Sequence, residues 1–148
     1  MKSGVIDSTE VDAVSILDSN YQANPLVEKT DVLLIEDDII VIELLQEVLI
    51  SAGFKVLISR NAVEGLSLFL ANKEKIICVV LDYGIPGMHP SRLLERLCEI
   101  DSEAKVILSS GYSQNFILED FPLDKIQAFL AKPYDPMSLV REVQGIKK

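Results

Sequence analysis

The sequence predicts an α/β fold, a parallel sheet with helices on both faces. From Asp31 onward, short apolar runs and helical periodicities alternate five times. The run Ile76-Ile77-Cys78-Val79-Val80-Leu81 is continuously apolar, as a central parallel strand covered on both sides must be. Glycines, prolines and capping residues stand at the joints between runs. Right-handed crossovers then follow from the handedness of strand and helix.

Residues 1–30 have a different texture, polar and interrupted. A modest helical pattern (Val11, Val14, Leu17) follows a capping box at Asp7 and Glu10 and is broken at Asn24 and Pro25. This stretch is expected to be an arm or linker, partly helical or disordered, ahead of one domain over residues 31–148. In that domain, residues 32–35 read as a buried strand and 39–52 as a helix stopped by Gly53. Residues 55–58 form a second strand. Asn61 caps a helix reaching 71, with Glu64 completing a capping box. After the strand at 76–81, a third helix starts at Pro90 or Ser91 and ends near 100. Residues 106–108 and 128–130 supply the last strands. Asp135 and Pro136 give the final helix its cap and first-turn proline. The weakest element is the helix between strands four and five, expected after Ser113 and ending before Pro122.

A chain of 148 residues suits one domain with a sizeable core. A formal net charge of -9 sets the chain against nucleic acid phosphates, so no direct nucleic acid binding is expected. The sequence has no signal-peptide layout and no apolar run of membrane-spanning length, so a cytoplasmic location without membrane association is expected. Cys78 and Cys98 are far apart and form no metal-type pair; two buried thiols fit a reducing compartment.

In such folds the chemistry sits at the carboxyl ends of the strands. Glu36, Asp37 and Asp38 follow strand one, Asp82 follows strand three, Ser109 and Ser110 follow strand four, and Lys132 and Pro133 follow strand five. Crowded carboxylates repel one another, and a divalent cation relieves that repulsion. Oxygen ligands without His or Cys favour magnesium. A carboxylate at the end of the most buried strand can act as a nucleophile toward phosphorus, and phosphoryl transfer needs mainly positioning and charge neutralisation. Lys132 would pair with Asp82 at rest and with a phosphoryl oxygen afterwards; Ser110, on a loop, would donate to another. Taken singly, Asp38 reads equally as a helix cap, the serines as turn formers and Lys132 as a solvated loop residue. The joint arrangement favours one shared site.

Four stretches carry a family resemblance: Val32-Leu33-Leu34-Ile35-Glu36-Asp37-Asp38, Val79 through Met88, Val106 through Tyr112, and Phe129-Leu130-Ala131-Lys132-Pro133-Tyr134. Together they resemble the receiver (response-regulator) domain of two-component phosphorelay signalling, and their wording is most similar to receivers of hybrid sensor histidine kinases. The resemblance implies a flavodoxin-like (βα)5 sandwich with strand order 2-1-3-4-5. It implies a signalling switch, not an enzyme in the ordinary sense, with Asp82 as phosphoacceptor and Mg2+ held by Glu36, Asp37, Asp82 and the Gly84 backbone carbonyl. Lys132 becomes the phosphate-binding lysine, Ser110 the switch hydroxyl and Phe129 the switch aromatic. The phosphodonor becomes a histidine kinase or histidine phosphotransfer protein, met by Asp38, Val41, Pro133 and Tyr134. A homodimer through the fourth helix, fifth strand and fifth helix is a further implication.

His89 and Pro90 depart from the pattern, which has an acid or amide and then glycine after the methionine; His89 is expected to be an exposed loop residue. Gly84 and Tyr112 offer no carboxylate or amide to orient an attacking water, so slow self-dephosphorylation is expected. The first helix is too apolar to bury every face, which suggests a partner surface unless the arm covers it. The competing functions are a receiver-like interaction module that is not phosphorylated, a flavodoxin-like cofactor binder disfavoured by the acids after strand one, and an aspartate-nucleophile phosphatase disfavoured by Gly84. The final helix almost reaches the end of the sequence, so either a single-domain shuttle or a piece of a larger protein is expected.

Overall fold

The computed structural model describes residues 28–118 and 121–147, so the expected arm over residues 1–27 lies outside the described residues. The order is β1 (Asp31–Ile35), α1 (Ile39–Ser51), β2 (Lys55–Ser59), α2 (Ala62–Asn72), β3 (Ile76–Asp82), α3 (Pro90–Ile100), β4 (Val106–Ser110), α4 (Gln114–Leu118), a 3-10 turn (Leu123–Lys125), β5 (Ala128–Ala131) and α5 (Pro136–Lys147). All strand pairs are parallel, in the order β2-β1-β3-β4-β5. This is the expected fold class and strand order.

Every residue of β1, β3 and β4 is buried, whereas the edge strands β2 and β5 are only partly covered. Side chains of a strand alternate between its faces, so the sheet builds two separate cores. Leu33, Ile35, Val79, Leu81, Val106 and Leu108 pack with Phe69, Leu94, Leu97 and Ile117, from α2, α3 and α4. Val32, Leu34, Cys78, Val80 and Ile107 pack with Leu45 and Leu49 of α1 and Leu139, Val140 and Val143 of α5. Gly65 brings α2 close to β1: a Cβ there would lie 2.6 Å from Ile35 Cδ1.

The joints follow the capping logic. Asp38 caps α1, its carboxylate accepting from the Ile40 N–H at 3.0 Å. Gly53, at φ +97, takes the left-handed turn that closes α1. Asn61 accepts from the Glu64 N–H at 2.8 Å, and Asp135 from the Met137 N–H at 3.0 Å.

Three details differ from expectation. Ser109 and Ser110 belong to β4 and are buried, not loop residues, because the ladder with β5 continues to Ser110 and Ala131. Cys98 is half-buried at the edge of its helix face; only Cys78 is fully buried, and burial pushes its thiol up to about 12. His89 is exposed as expected but does more than fill a loop. It is the N-cap of α3, its Nδ1 accepting from the Ser91 N–H at 3.1 Å, with Pro90 at the first helical turn.

Candidate functional site

The carboxyl ends of β1, β3 and β5 meet at one point of the sheet edge. Asp82 is the last residue of β3, Glu36 directly follows β1, and Lys132 directly follows β5. Asp82 and Glu36 are 8% and 2% exposed, so their charges are held largely out of water. Lys132 Nζ lies 3.0 Å from Asp82 Oδ1 and 3.2 Å from Glu36 Oε1, bridging the two carboxylates. Asp37 is exposed, yet one oxygen each from Glu36, Asp37 and Asp82 lie within 4.8 Å of one another. The structure thus brings together four expected residues from three strand ends.

Burial pushes the Glu36 carboxyl above its ordinary range, and repulsion from Asp82 adds to this. The Asp38 N–H, which donates to Oε2 at 3.2 Å, and Lys132 pull only partly the other way. Burial disfavours the Lys132 ammonium, but its hydrogen bonds and attraction to Asp82 and Glu36 outweigh this and hold it above the usual lysine range. Three carboxylates thus face one ammonium, a surplus of negative charge made of hard oxygen donors. Such a donor set fits a divalent ion of the magnesium type.

A raised acid pKa has a measurable consequence. The folded chain binds a proton on Glu36 that the unfolded chain has already released, so stability falls as pH rises from the ordinary glutamate value through the raised one. In a chelating buffer, Glu36→Gln is expected to remove this fall. Denaturation midpoints across acidic to neutral pH check it; parallel curves for parent and variant would contradict the assignment.

The other expected residues surround this centre. Ser109 pairs in register with Asp82, and Ser110 follows it. The Ser110 hydroxyl oxygen accepts from the Tyr112 N–H at 2.9 Å. Phe129, half-buried in β5, registers with Leu108 and packs on the α2–α3–α4 core. Gly84 is exposed, and a Cβ there would sit 3.6 Å from Asp82 Oδ2 in ordinary contact. Tyr112 is 57% exposed, and its ring meets Tyr83 edge-on with centroids 6.0 Å apart. Val41, Pro133 and Tyr134 line a recess of about 410 Å³ between α1 and the start of α5, beside Lys132. Asp38 is exposed at the α1 N-terminus.

Sequence reasoning missed one contributor, Arg60, and the environment of one residue it named, Tyr134. Arg60 Nη2 donates to the Asp37 carbonyl at 2.9 Å, a contact across 23 residues of sequence that no local pattern announces. Tyr134 places its hydroxyl inside the protein with no hydrogen-bond partner among the described residues, and burial pushes its pKa up to about 12. The tyrosine was visible in the sequence, but the fate of its hydroxyl depends on tertiary packing.

Fold and site together define an α/β protein with an acid-rich centre at the carboxyl edge of its sheet. A family model, the response regulator receiver domain, matches residues 32–144. The chain belongs to this family of phosphoacceptor signalling domains. It is 31% identical over 105 residues to the sporulation initiation phosphotransferase F of Bacillus subtilis, covering 70% of this chain and 82% of that one. It is also 31% identical over 120 residues to the probable transcriptional regulator ycf29 of Porphyra purpurea, covering 78% of this chain but spanning only 56% of that relative. Among solved structures, that of the CheX-CheY-BeF3-Mg+2 complex from Borrelia burgdorferi superposes with a TM-score of 0.71 at 23% identity, covering 79% of this chain and 88% of that one, and supports the fold. Among the described residues, no helix is long and apolar enough to cross a membrane.

Proposed function

We propose that this chain is a phosphorylated switch in which Asp82 accepts a phosphoryl group from a phosphohistidine of a histidine kinase or histidine phosphotransfer protein. The observation that carries the reading is Lys132 Nζ, 3.0 Å from Asp82 and 3.2 Å from Glu36 inside a three-carboxylate cluster. An Asp82 oxygen attacks phosphorus, the O–P bond forms as the N–P bond breaks, and the departing imidazole keeps the N–P electron pair. Glu36, Asp37, Asp82 and the Gly84 carbonyl would hold Mg2+, which supplies neutralisation of phosphoryl charge.

Lys132 shifts from Asp82 Oδ1 to a phosphoryl oxygen, keeping its charge at the site where negative charge increases. The Ser110 hydroxyl accepts from Tyr112 and still has its own proton to donate, so it can engage a second phosphoryl oxygen without losing its present partner. Movement at Ser110 and the adjoining strand passes to Phe129 and changes the surface near β4 and β5. The donor docks on α1, where Ile39, Ile40 and Leu44 are exposed beside the recess of Val41, Pro133 and Tyr134, with Asp38 at its edge. The receiver domain spans residues 31–148 with residues 1–30 as an arm, works in the cytoplasm, and can pair with a second copy through α4, β5 and α5. The hybrid-kinase wording of the sequence bears on this donor and output, not on the chemistry.

Titration of the full chain with beryllofluoride and Mg2+, followed by amide NMR, tests the reading. Saturable shifts are expected at Ser110 and Phe129. No response would favour a receiver-like interaction module that is not phosphorylated.

Phosphoryl lifetime is a separate expectation. Gly84 offers no group to orient a hydrolytic water, and there is room for one. Gly84→Asn is expected to shorten the lifetime of the phosphoprotein about tenfold, below the usual gain from a full general base because an amide only orients the water. Decay measured after removal of the donor checks this; unchanged decay would count against the role given to this position.

A further inference from the structure

We propose that Arg60 is a positioning residue for the metal-binding loop, acting through the Asp37 main chain; the inference rests on the magnesium reading above. The peptide between Asp37 and Asp38 is held at both ends. Its carbonyl accepts from Arg60 Nη2 at 2.9 Å, and its N–H donates to Glu36 Oε2 at 3.2 Å. Asp37 is the exposed member of the carboxylate trio and has no protein donor fixing its side chain among the described contacts. Its carboxylate is therefore aimed only by the backbone that carries it.

Arg60 is itself mounted on a hydrogen-bonded turn. The Ser59 carbonyl accepts from the Glu36 N–H at 3.0 Å, tying the ends of β1 and β2 together. The Ser59 hydroxyl donates to the Asn61 carbonyl at 2.6 Å, and Asn61 caps α2. A guanidinium from this turn reaches across to the loop and fixes one peptide plane, as groups behind a metal's ligands orient those ligands. The sign of the effect separates this role from bare electrostatics. A cation near a cation site should weaken metal binding, so deleting Arg60 for charge reasons alone would tighten it. A positioning role predicts the reverse.

The test is a Mg2+ titration of the isotope-labelled full chain, read from amide shifts at Asp37, Asp82 and Gly84. Parent, Arg60→Ala, Arg60→Lys and Asp37→Asn are compared. Arg60→Ala is expected to raise the half-saturating Mg2+ concentration about tenfold, the low end for a group that is not a ligand. Arg60→Lys, which keeps one donor and the charge, is expected to fall between Arg60→Ala and the parent, and Asp37→Asn to lose saturation. Equal or tighter binding by Arg60→Ala, with the parent saturating and Asp37→Asn not, overturns the Arg60 inference alone. Amide changes throughout the sheet of metal-free Arg60→Ala would also overturn it, because Arg60 would then hold the fold rather than the loop. A parent that does not saturate, or an Asp37→Asn that binds like the parent, overturns the magnesium reading and this inference with it.

Discussion

Asp82→Asn protein is expected to take up no label from a phosphohistidine donor, while the parent labels in Mg2+ and fails to label in a chelator. The substitution keeps the shape of the residue and one of its oxygens at the end of β3, but an amide oxygen lacks the charge and basicity to form the O–P bond. Because Asp82 is 8% exposed and belongs to the acid cluster, losing its charge should not unfold the chain. Asp82→Asn should instead relieve repulsion on Glu36 and leave the metal-free fold at least as stable as the parent. Retained labelling would move the chemistry to another residue and remove the basis of the proposed function.

Lys132→Ala carries the second large effect. The ammonium joins Asp82 and Glu36 at 3.0 and 3.2 Å, with side-chain exposures of 27% for Lys132, 11% for Asp82 and 3% for Glu36. Removing it leaves two buried carboxylates and the nearby Asp37 with no cation among the described partners. Breaking a fully buried pair costs about 3–5 kcal/mol. Partial exposure of Lys132 and proton uptake by Glu36 should reduce this to about 2 kcal/mol in a chelating buffer at neutral pH. Mg2+ should then stabilise the variant more than the parent, since the ion no longer competes with an ammonium. Denaturant titrations with and without Mg2+ measure both effects. An unchanged midpoint in chelator would mean the pair is already neutralised by solvent.

The parent should also lose this contribution at high pH. A lysine held above its usual range stabilises the fold fully below the unfolded-state value, and that stability is lost as pH rises through the folded-state value.

The fold was legible because its signals are local and repeated. β3 is seven consecutive buried residues and reads as a central strand without help from its neighbours. Asn61, Asp135 and Gly53 mark helix ends by side-chain and backbone chemistry that needs no tertiary partner. The acids and the lysine of the site were visible because the fold sends strand ends to one edge, so position in sequence implied position in space. What escaped depends on contacts between segments. Pairing of Ser109 with both β3 and β5, and of Ser110 with β5, decides that the two serines are strand residues. Arg60 looks like any exposed arginine until β2 is set beside β1. His89 looked like an interruption of a family pattern, yet it takes the capping position that a small polar residue usually fills, its ring accepting from Ser91 and its Nε2 lying 3.3 Å from the Tyr83 hydroxyl.

Among the described residues, the sheet divides the interior into two compartments that share no buried side chain, one under α1 and α5, the other under α2, α3 and α4. On the function proposed above, the donor would meet the α1 side of this partition, while the altered surface would arise near β4 and β5, whose side chains feed both compartments. Substitutions on α1 that would change which donor is met can then be made without touching the side chains packed under α2, α3 and α4.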